Sequence, residues 1–211
     1  MARSASATRA LRGLYAITPP HTDTERLLDL VGRAIAGGAA LVQYRAKDLP
    51  ADAMLEQASA LATLCRAHGV PLIVNDRVDI AAAAHADGVH LGRDDVDARQ
   101  ARASLPDAIV GVSCYADLER ARAAARDGAD YIGIGSVFAS STKPNAVRAP
   151  LELLAAARRE SGLPVAAIGG IDTTNAPQAV AAGADMVAVI SSLFDAPDVE
   201  AAARRFASFF R

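Results

Sequence analysis

Eight short apolar runs follow one another along the chain, and nearly every one ends on a polar residue or a glycine. They are Leu14–Thr18, Leu41–Arg45, Pro71–Asp76, Gly88–Gly92, Ile109–Cys114, Tyr131–Phe138, Pro164–Gly170 and Met186–Leu193. Such runs have the length of strands, whereas the Ala- and Arg-rich stretches between them carry apolar residues at helical spacing. Leu27, Leu28, Val31 and Ile35 share one face of a helix predicted over Thr24–Gly37, and Met54, Leu55, Leu61 and Leu64 do so over Asp52–His68. Two further helices are predicted over Asp117–Gly128 and Ala176–Gly183, and each runs into the same phrase, Gly-Ala-Asp. The looser variant His85-Ala86-Asp87-Gly88 precedes the fourth run. A recurrent cap of this kind marks the turn from helix to strand and is a structural repeat, not a site.

A strand followed by a helix, repeated eight times, predicts a single α/β domain, a (β/α)8 TIM barrel of parallel strands. The expected boundaries are a flexible N-terminal tail over residues 1–12 and the barrel over 13–211. In that architecture the carboxyl ends of the strands share one face, so the polar residues that end the runs converge there. The length of 211 residues suffices for one such barrel. With 52% hydrophobic but only 4% aromatic residues, its interior must be mostly Val, Ile, Leu and Ala.

A net charge of −2 excludes a global basic field, so no nucleic-acid partner is expected and anion binding must be local. No run approaches the ~18 apolar residues of a membrane span. Cys65 and Cys114 form no CxxC pair and read as reduced thiols of a cytoplasmic protein.

Polar side chains at the run ends divide into two groups. Gln43, Arg45 and Lys47 alternate with Val42 and Tyr44, so on a strand the three polar groups face one way. An inward row of that kind calls for an anionic partner. Asn75 and Asp76 end the third run, and Asp94 and Asp95 follow the fourth. Taken alone, Asp76, Asp94 or Asp95 reads better as a helix N-cap. Two carboxylates on one rim opposite a basic row instead suit Mg²⁺, which takes one or two protein carboxylates plus phosphate oxygens.

The second group lies across the barrel mouth. Ser140, Ser141, Thr142 and Lys143 form a polar loop bearing a cation after the sixth run. Gly169 and Gly170 end the seventh run, and Ile190, Ser191 and Ser192 end the eighth. Loops after strands seven and eight of such barrels commonly hold a phosphate through backbone N–H groups. Neither a Ser-His-Asp nor a Cys-His arrangement is evident, and His90, between Val89 and Leu91, reads as a packed barrel residue. Loss of a diphosphate fits such a site, because its departure needs charge neutralisation more than a general base.

At these residues the chain resembles the thiamine-phosphate synthase (thiamine-phosphate pyrophosphorylase) family. The matching phrases are QYRAK, LIVND, DGVHLGRDD, VGVSC, GADYIGIGSVFASSTK, AIGGID and VAVISS, in the family's order from about Leu14 to Leu193. Position by position, the resemblance implies that Gln43, Arg45, Lys47, Asn75, Ser113 and Lys143 bind an aminopyrimidine diphosphate, with Lys143, Arg45 and Ser113 catalytic. It implies Asp76 and Asp95 as ligands of one Mg²⁺ per subunit, and Ser140, Ser141, Thr142, Gly170, Ile190 and Ser191 as the thiazole-phosphate site. The implied partners are two small phosphorylated substrates, without nucleic acid or membrane, and homo-oligomerisation is left open.

The implied transferase reaction joins hydroxymethylpyrimidine diphosphate to a thiazole phosphate or its 2-carboxy form, giving thiamine monophosphate and pyrophosphate. Two residues depart from the family's usual pattern: Ser140 stands where threonine is frequent, and Tyr115 where many members carry histidine. A related thiazole tautomerase would keep the phosphate loops without needing the diphosphate and metal residues. A non-catalytic phosphate-binding barrel is a third reading, since fold alone does not fix activity.

Overall fold

The computed structural model describes residues 11–139 and 147–211. Its strands are β1 (Gly13–Ile17), β2 (Ala39–Tyr44), β3 (Leu72–Asn75), β4 (Gly88–Leu91), β5 (Ile109–Tyr115), β6 (Tyr131–Gly135), β7 (Val165–Ile168) and β8 (Met186–Val189). They pair in parallel, each with the next in sequence and β8 with β1, and close into a barrel. The predicted (β/α)8 TIM barrel is the observed fold.

Helices return the chain between strands: α1 (Thr24–Ala36), α2 (Ala51–Ala67), α3 (Val78–Ala83), α4 (Ala98–Ser104), α5 (Leu118–Arg126), α6 (Glu152–Ser161) and α7 (Ala176–Ala181). Beyond β8 come the short α8 (Ser191–Phe194) and the longer α9 (Val199–Ala207). Among the described residues, no helix is long and apolar enough to cross a membrane.

Each strand ends one to four residues from the end of its run. The second run ends as strand at Tyr44, which leaves Arg45 and Lys47 in the loop beyond it. The sixth and eighth runs extend to Phe138 and Leu193, but the strands stop at Gly135 and Val189. Apolarity continues past both ends because Val137 and Leu193 are buried under the helical layer, in loop and helix conformations respectively. The amino-terminal boundary shifts too. Leu11, assigned to the tail, is 4% exposed and packs with the barrel interior, and Arg12 donates to the Phe210 carbonyl oxygen at 3.0 Å.

Strand alternation sends one set of residues outward against the helices, including Val42, Tyr44, Val74, Val89, Val110, Ile132 and Val187. The inward set includes Tyr15, Ile17, Leu41, Ile73, Tyr131, Ala166 and Met186. Gly111 shows how the narrow interior admits Tyr131. A methyl group at that glycine would lie 2.1 Å from the Tyr131 ring, so its absence is what makes room for the ring.

The amino-terminal end is held by the aspartates of the recurrent phrase. Asp87 accepts from the Leu72 amide (2.8 Å), Asp130 from Val110 (2.8 Å) and Asp185 from Val165 (3.0 Å). Each carboxylate thus fastens the start of the strand preceding its own. Arg102 pairs with Asp130 at 2.6 Å, and Arg158 with Asp185.

Candidate active site

The opposite rim collects the residues predicted to carry chemistry. Gln43 faces the interior and is 3% exposed, as the alternation with Val42 and Tyr44 requires. Arg45 lies just past the strand, its amide donating to the buried Thr18 hydroxyl at 3.0 Å. Lys47 reaches across to Asp76, with Nζ 3.7 Å from Oδ2.

Asp76 and Asp95 meet beneath Gly92. A methyl group on Gly92 would lie 3.0 Å from Asp95 Oδ2 and 4.0 Å from Asp76 Oδ1. Burial, then the adjoining Asp95 carboxyl, raises the Asp76 carboxyl above its usual range, while Lys47 and Arg45 pull the other way. Asp76 also holds a left-handed backbone, φ 64°, which aspartate tolerates better than most residues. Neither carboxylate is a helix N-cap. That position before α3 belongs to Arg77, and before α4 to Asp97, whose carboxylate accepts from Gln100 in a capping box.

Two crowded carboxylates, one with its pKa raised by burial and by the other, would be relieved by a divalent cation, so the donor set fits Mg²⁺. Among the described residues no cluster of three or more His, Cys, Asp or Glu side chains could hold a metal.

Asn75 ends β3 level with His90 on β4, half-buried at the rim. Ser113, on β5, lies with its hydroxyl 2.8 Å from His90 Nε2. The Arg120 guanidinium, on α5, donates to the backbone carbonyls of Ser113 and Gly92, both at 2.7 Å, and ties the ends of β5 and β4 together. Tyr115, at φ 58°, stacks under Arg93 with 4.7 Å from guanidinium carbon to ring centre.

On the far side of the mouth, β7 and β8 are neighbours, which brings Gly170 and the Ile190–Ser191 turn to the same rim. Gly170 has φ 63°, and a methyl group there would lie 2.0 Å from the Ala139 carbonyl oxygen. The chain therefore leaves Ala139 pressed against Gly170. Ser140, Ser141, Thr142 and Lys143 lie outside the described residues. After them, the Ala149 amide returns to the Ser136 carbonyl at 2.9 Å.

Several residues here carried no signal of their own in the sequence. Arg120, Tyr15 and Tyr131 read as ordinary strand or helix positions. His90, read as a packed barrel residue, is 9% exposed, and burial lowers its pKa to about 4, so the imidazole is neutral. It also bonds directly to Ser113, which its placement mid-strand did not reveal. The one available signal was glycine inside strands, at Gly111 and Gly133, which marks close approach by a large neighbour.

The family model described as thiamine monophosphate synthase matches residues 14–193. The chain belongs to that family. It is 53% identical over 201 residues to the thiamine-phosphate synthase of Aromatoleum aromaticum, covering 95% of this chain and 97% of that one. It is 55% identical to that of Thiobacillus denitrificans, covering 94% of each. The solved thiamine phosphate pyrophosphorylase of Pyrococcus furiosus is 38% identical, with a TM-score of 0.85 over 95% of this chain and 96% of that chain.

Proposed function

We propose that the chain is a thiamine-phosphate synthase, a transferase of thiamine biosynthesis. Its substrates would be 4-amino-2-methyl-5-(diphosphooxymethyl)pyrimidine and 4-methyl-5-(2-phosphoethyl)thiazole or its 2-carboxy form. The observation that carries this reading is the meeting of Asp76 and Asp95 beside Lys47 on the carboxyl rim. A barrel that only bound or isomerised a thiazole phosphate would have no use for that arrangement.

In this reading Arg45, Lys47 and Lys143 bind the diphosphate and absorb its charge as the methylene carbon–oxygen bond breaks. Electrons of the aminopyrimidine stabilise the resulting methylene cation, and the thiazole nitrogen captures it. With the 2-carboxy substrate, carbon dioxide then leaves the thiazolium ring. Gln43, Asn75 and Ser113 orient the pyrimidine. Ser140, Ser141, Thr142, Gly170, Ile190 and Ser191 hold the thiazole phosphate at a distance suited to attack. Mg²⁺, when bound by Asp76 and Asp95, supplies further neutralisation of the diphosphate. Two phosphorylated substrates, which do not cross a bilayer unaided, favour a cytoplasmic site of action.

The test is pyrophosphate release with both substrates together and each alone, with and without Mg²⁺. Release that needs Mg²⁺ and equals thiamine monophosphate formed is the expected result. Folded protein that isomerises the thiazole phosphate, or binds it without turnover, would overturn the assignment.

A further inference from the structure

Five polar side chains from five strands form one hydrogen-bonded chain through the barrel interior. Gln43 Nε2 donates to the Tyr15 hydroxyl at 2.6 Å, and Tyr15 Oη lies 2.6 Å from Tyr131 Oη. Tyr131 Oη is 2.9 Å from His90 Nδ1, and His90 Nε2 is 2.8 Å from Ser113 Oγ. Tyr15 and Tyr131 are at most 1% exposed, so water does not substitute for these partners. The rings also stack, Tyr131 with Tyr15 edge to face at 5.8 Å and with His90 at 5.4 Å.

Because Gln43 presents its Nε2 to Tyr15, the direction of every other proton follows. Tyr15 accepts from Gln43, so its own proton must go to Tyr131, the other hydroxyl in reach. Tyr131 then directs its proton to His90 Nδ1. A neutral imidazole accepting at Nδ1 carries its proton on Nε2 and donates to Ser113 Oγ. With its oxygen so engaged, Ser113 has its own proton free to turn toward the barrel mouth. Reversing any single bond would leave two donors or two acceptors facing each other, which a buried site tolerates poorly.

We propose that His90 is a positioning residue, locked by Gln43, Tyr15 and Tyr131 in the Nε2–H tautomer so that the Ser113 hydroxyl is offered to the substrate as a donor. The consequence for turnover rests on the synthase reading, in which Ser113 contacts the aminopyrimidine diphosphate. The tautomer itself does not. The chain also couples two groups assigned to one substrate, since Gln43 and Ser113 are its two ends.

The experiment has two arms. Nitrogen-15 NMR of the histidine rings in the free protein at neutral pH reads the tautomer directly. A bare Nδ1 and protonated Nε2 on His90 are expected, and a protonated Nδ1 overturns the proposal. Tyr131→Phe keeps the ring and removes only the hydroxyl. It should release the tautomer, giving a mixed or reversed signature, and lower kcat for thiamine monophosphate formation about 10-fold with the thiazole-phosphate KM unchanged.

Tyr15→Phe breaks the chain one link further away. Tyr131 can still donate to His90 there, so the His90 signature should persist and kcat should fall less. An unaltered signature and kcat in Tyr131→Phe would overturn the proposal, whatever Tyr15→Phe shows. A wild-type protein with the expected tautomer but no pyrophosphate release would instead remove the synthase reading and leave the positioning of Ser113 standing.

Discussion

Aspartates cluster at both ends of this barrel, and the two clusters are built on opposite rules. At the amino end, Asp87, Asp130 and Asp185 each accept a backbone N–H, and Asp130 and Asp185 also meet an arginine. Their charge is answered within the protein. At the carboxyl end, Asp95 also accepts a backbone N–H, from Gly92 at 2.6 Å, but it faces Asp76, and burial together with that second carboxyl raises the Asp76 pKa. Lys47, at 3.7 Å, answers that charge only in part. At the amino end each carboxylate fastens a neighbouring strand, whereas at the carboxyl end a second carboxyl crowds Asp76. Local sequence does not separate the two, because both sets flank apolar runs; what separates them is which end of the strand they occupy.

The largest expected effect breaks this comparison at the carboxyl end. Asp95→Asn and Asp76→Asn should each lower kcat by ~10²–10³, equivalent to about 2.7–4 kcal/mol of barrier, and weaken Mg²⁺ activation. Steady-state rates against Mg²⁺ concentration check this. An unchanged Mg²⁺ dependence in both variants would take them out of the metal site.

Between the two ends lies His90, and its prediction concerns stability. Burial holds its pKa near 4, below the ordinary 6.5, with the charge of Asp95 opposing the shift. The unfolded chain therefore binds the proton first as pH falls. Stability from this group is complete above pH ~6.5 and declines by about 3 kcal/mol as pH falls to about 4. Urea unfolding of wild type and His90→Gln across that range isolates the contribution, since other groups titrate in both. The difference in stability between them should shrink by that amount, and a constant difference would refute the burial argument.

At the amino end, Asp185→Asn replaces an ion pair and an accepted N–H by a weaker contact. Thermal or urea unfolding should show a loss of about 2 kcal/mol, with kcat per folded molecule unchanged. A catalytic loss comparable with that of Asp95→Asn would erase the distinction between the two ends.

The barrel was legible because eight runs of strand length alternate with helical periodicity, a pattern that local residues determine. Strand ends were less so. Runs such as Tyr131–Phe138 stay apolar after the strand has ended, since Val137 is buried as loop rather than as strand. In the site, Gln43, Asp76, Asp95 and Gly170 announced themselves by position at the run ends. Tyr15 and Tyr131 could not, because they are 116 residues apart and meet only when the barrel closes. Asp97 was likewise hidden beside Asp94 and Asp95, since three nearby carboxylates compete for one helix start and only backbone geometry selects the cap.

The smallest effect is the sharpest discriminator, because its sign reverses between the two ends. Asp76 is held with its pKa raised, so the folded state binds a proton more readily than the unfolded chain, and stability from this group is lost as pH rises through that pKa. In metal-free buffer at neutral pH, Asp76→Asn removes a charge that the fold opposes. The variant's stability should equal or slightly exceed that of wild type, within about 0.5 kcal/mol, while the Asp185 variant falls. Adding Mg²⁺ should then raise the wild-type Tm and leave that of Asp76→Asn nearly fixed, since a ligand stabilises only the fold that binds it. Were Asp76→Asn to destabilise the metal-free protein as Asp185→Asn does, the carboxyl-end pair would be a structural clamp like its counterparts at the other end.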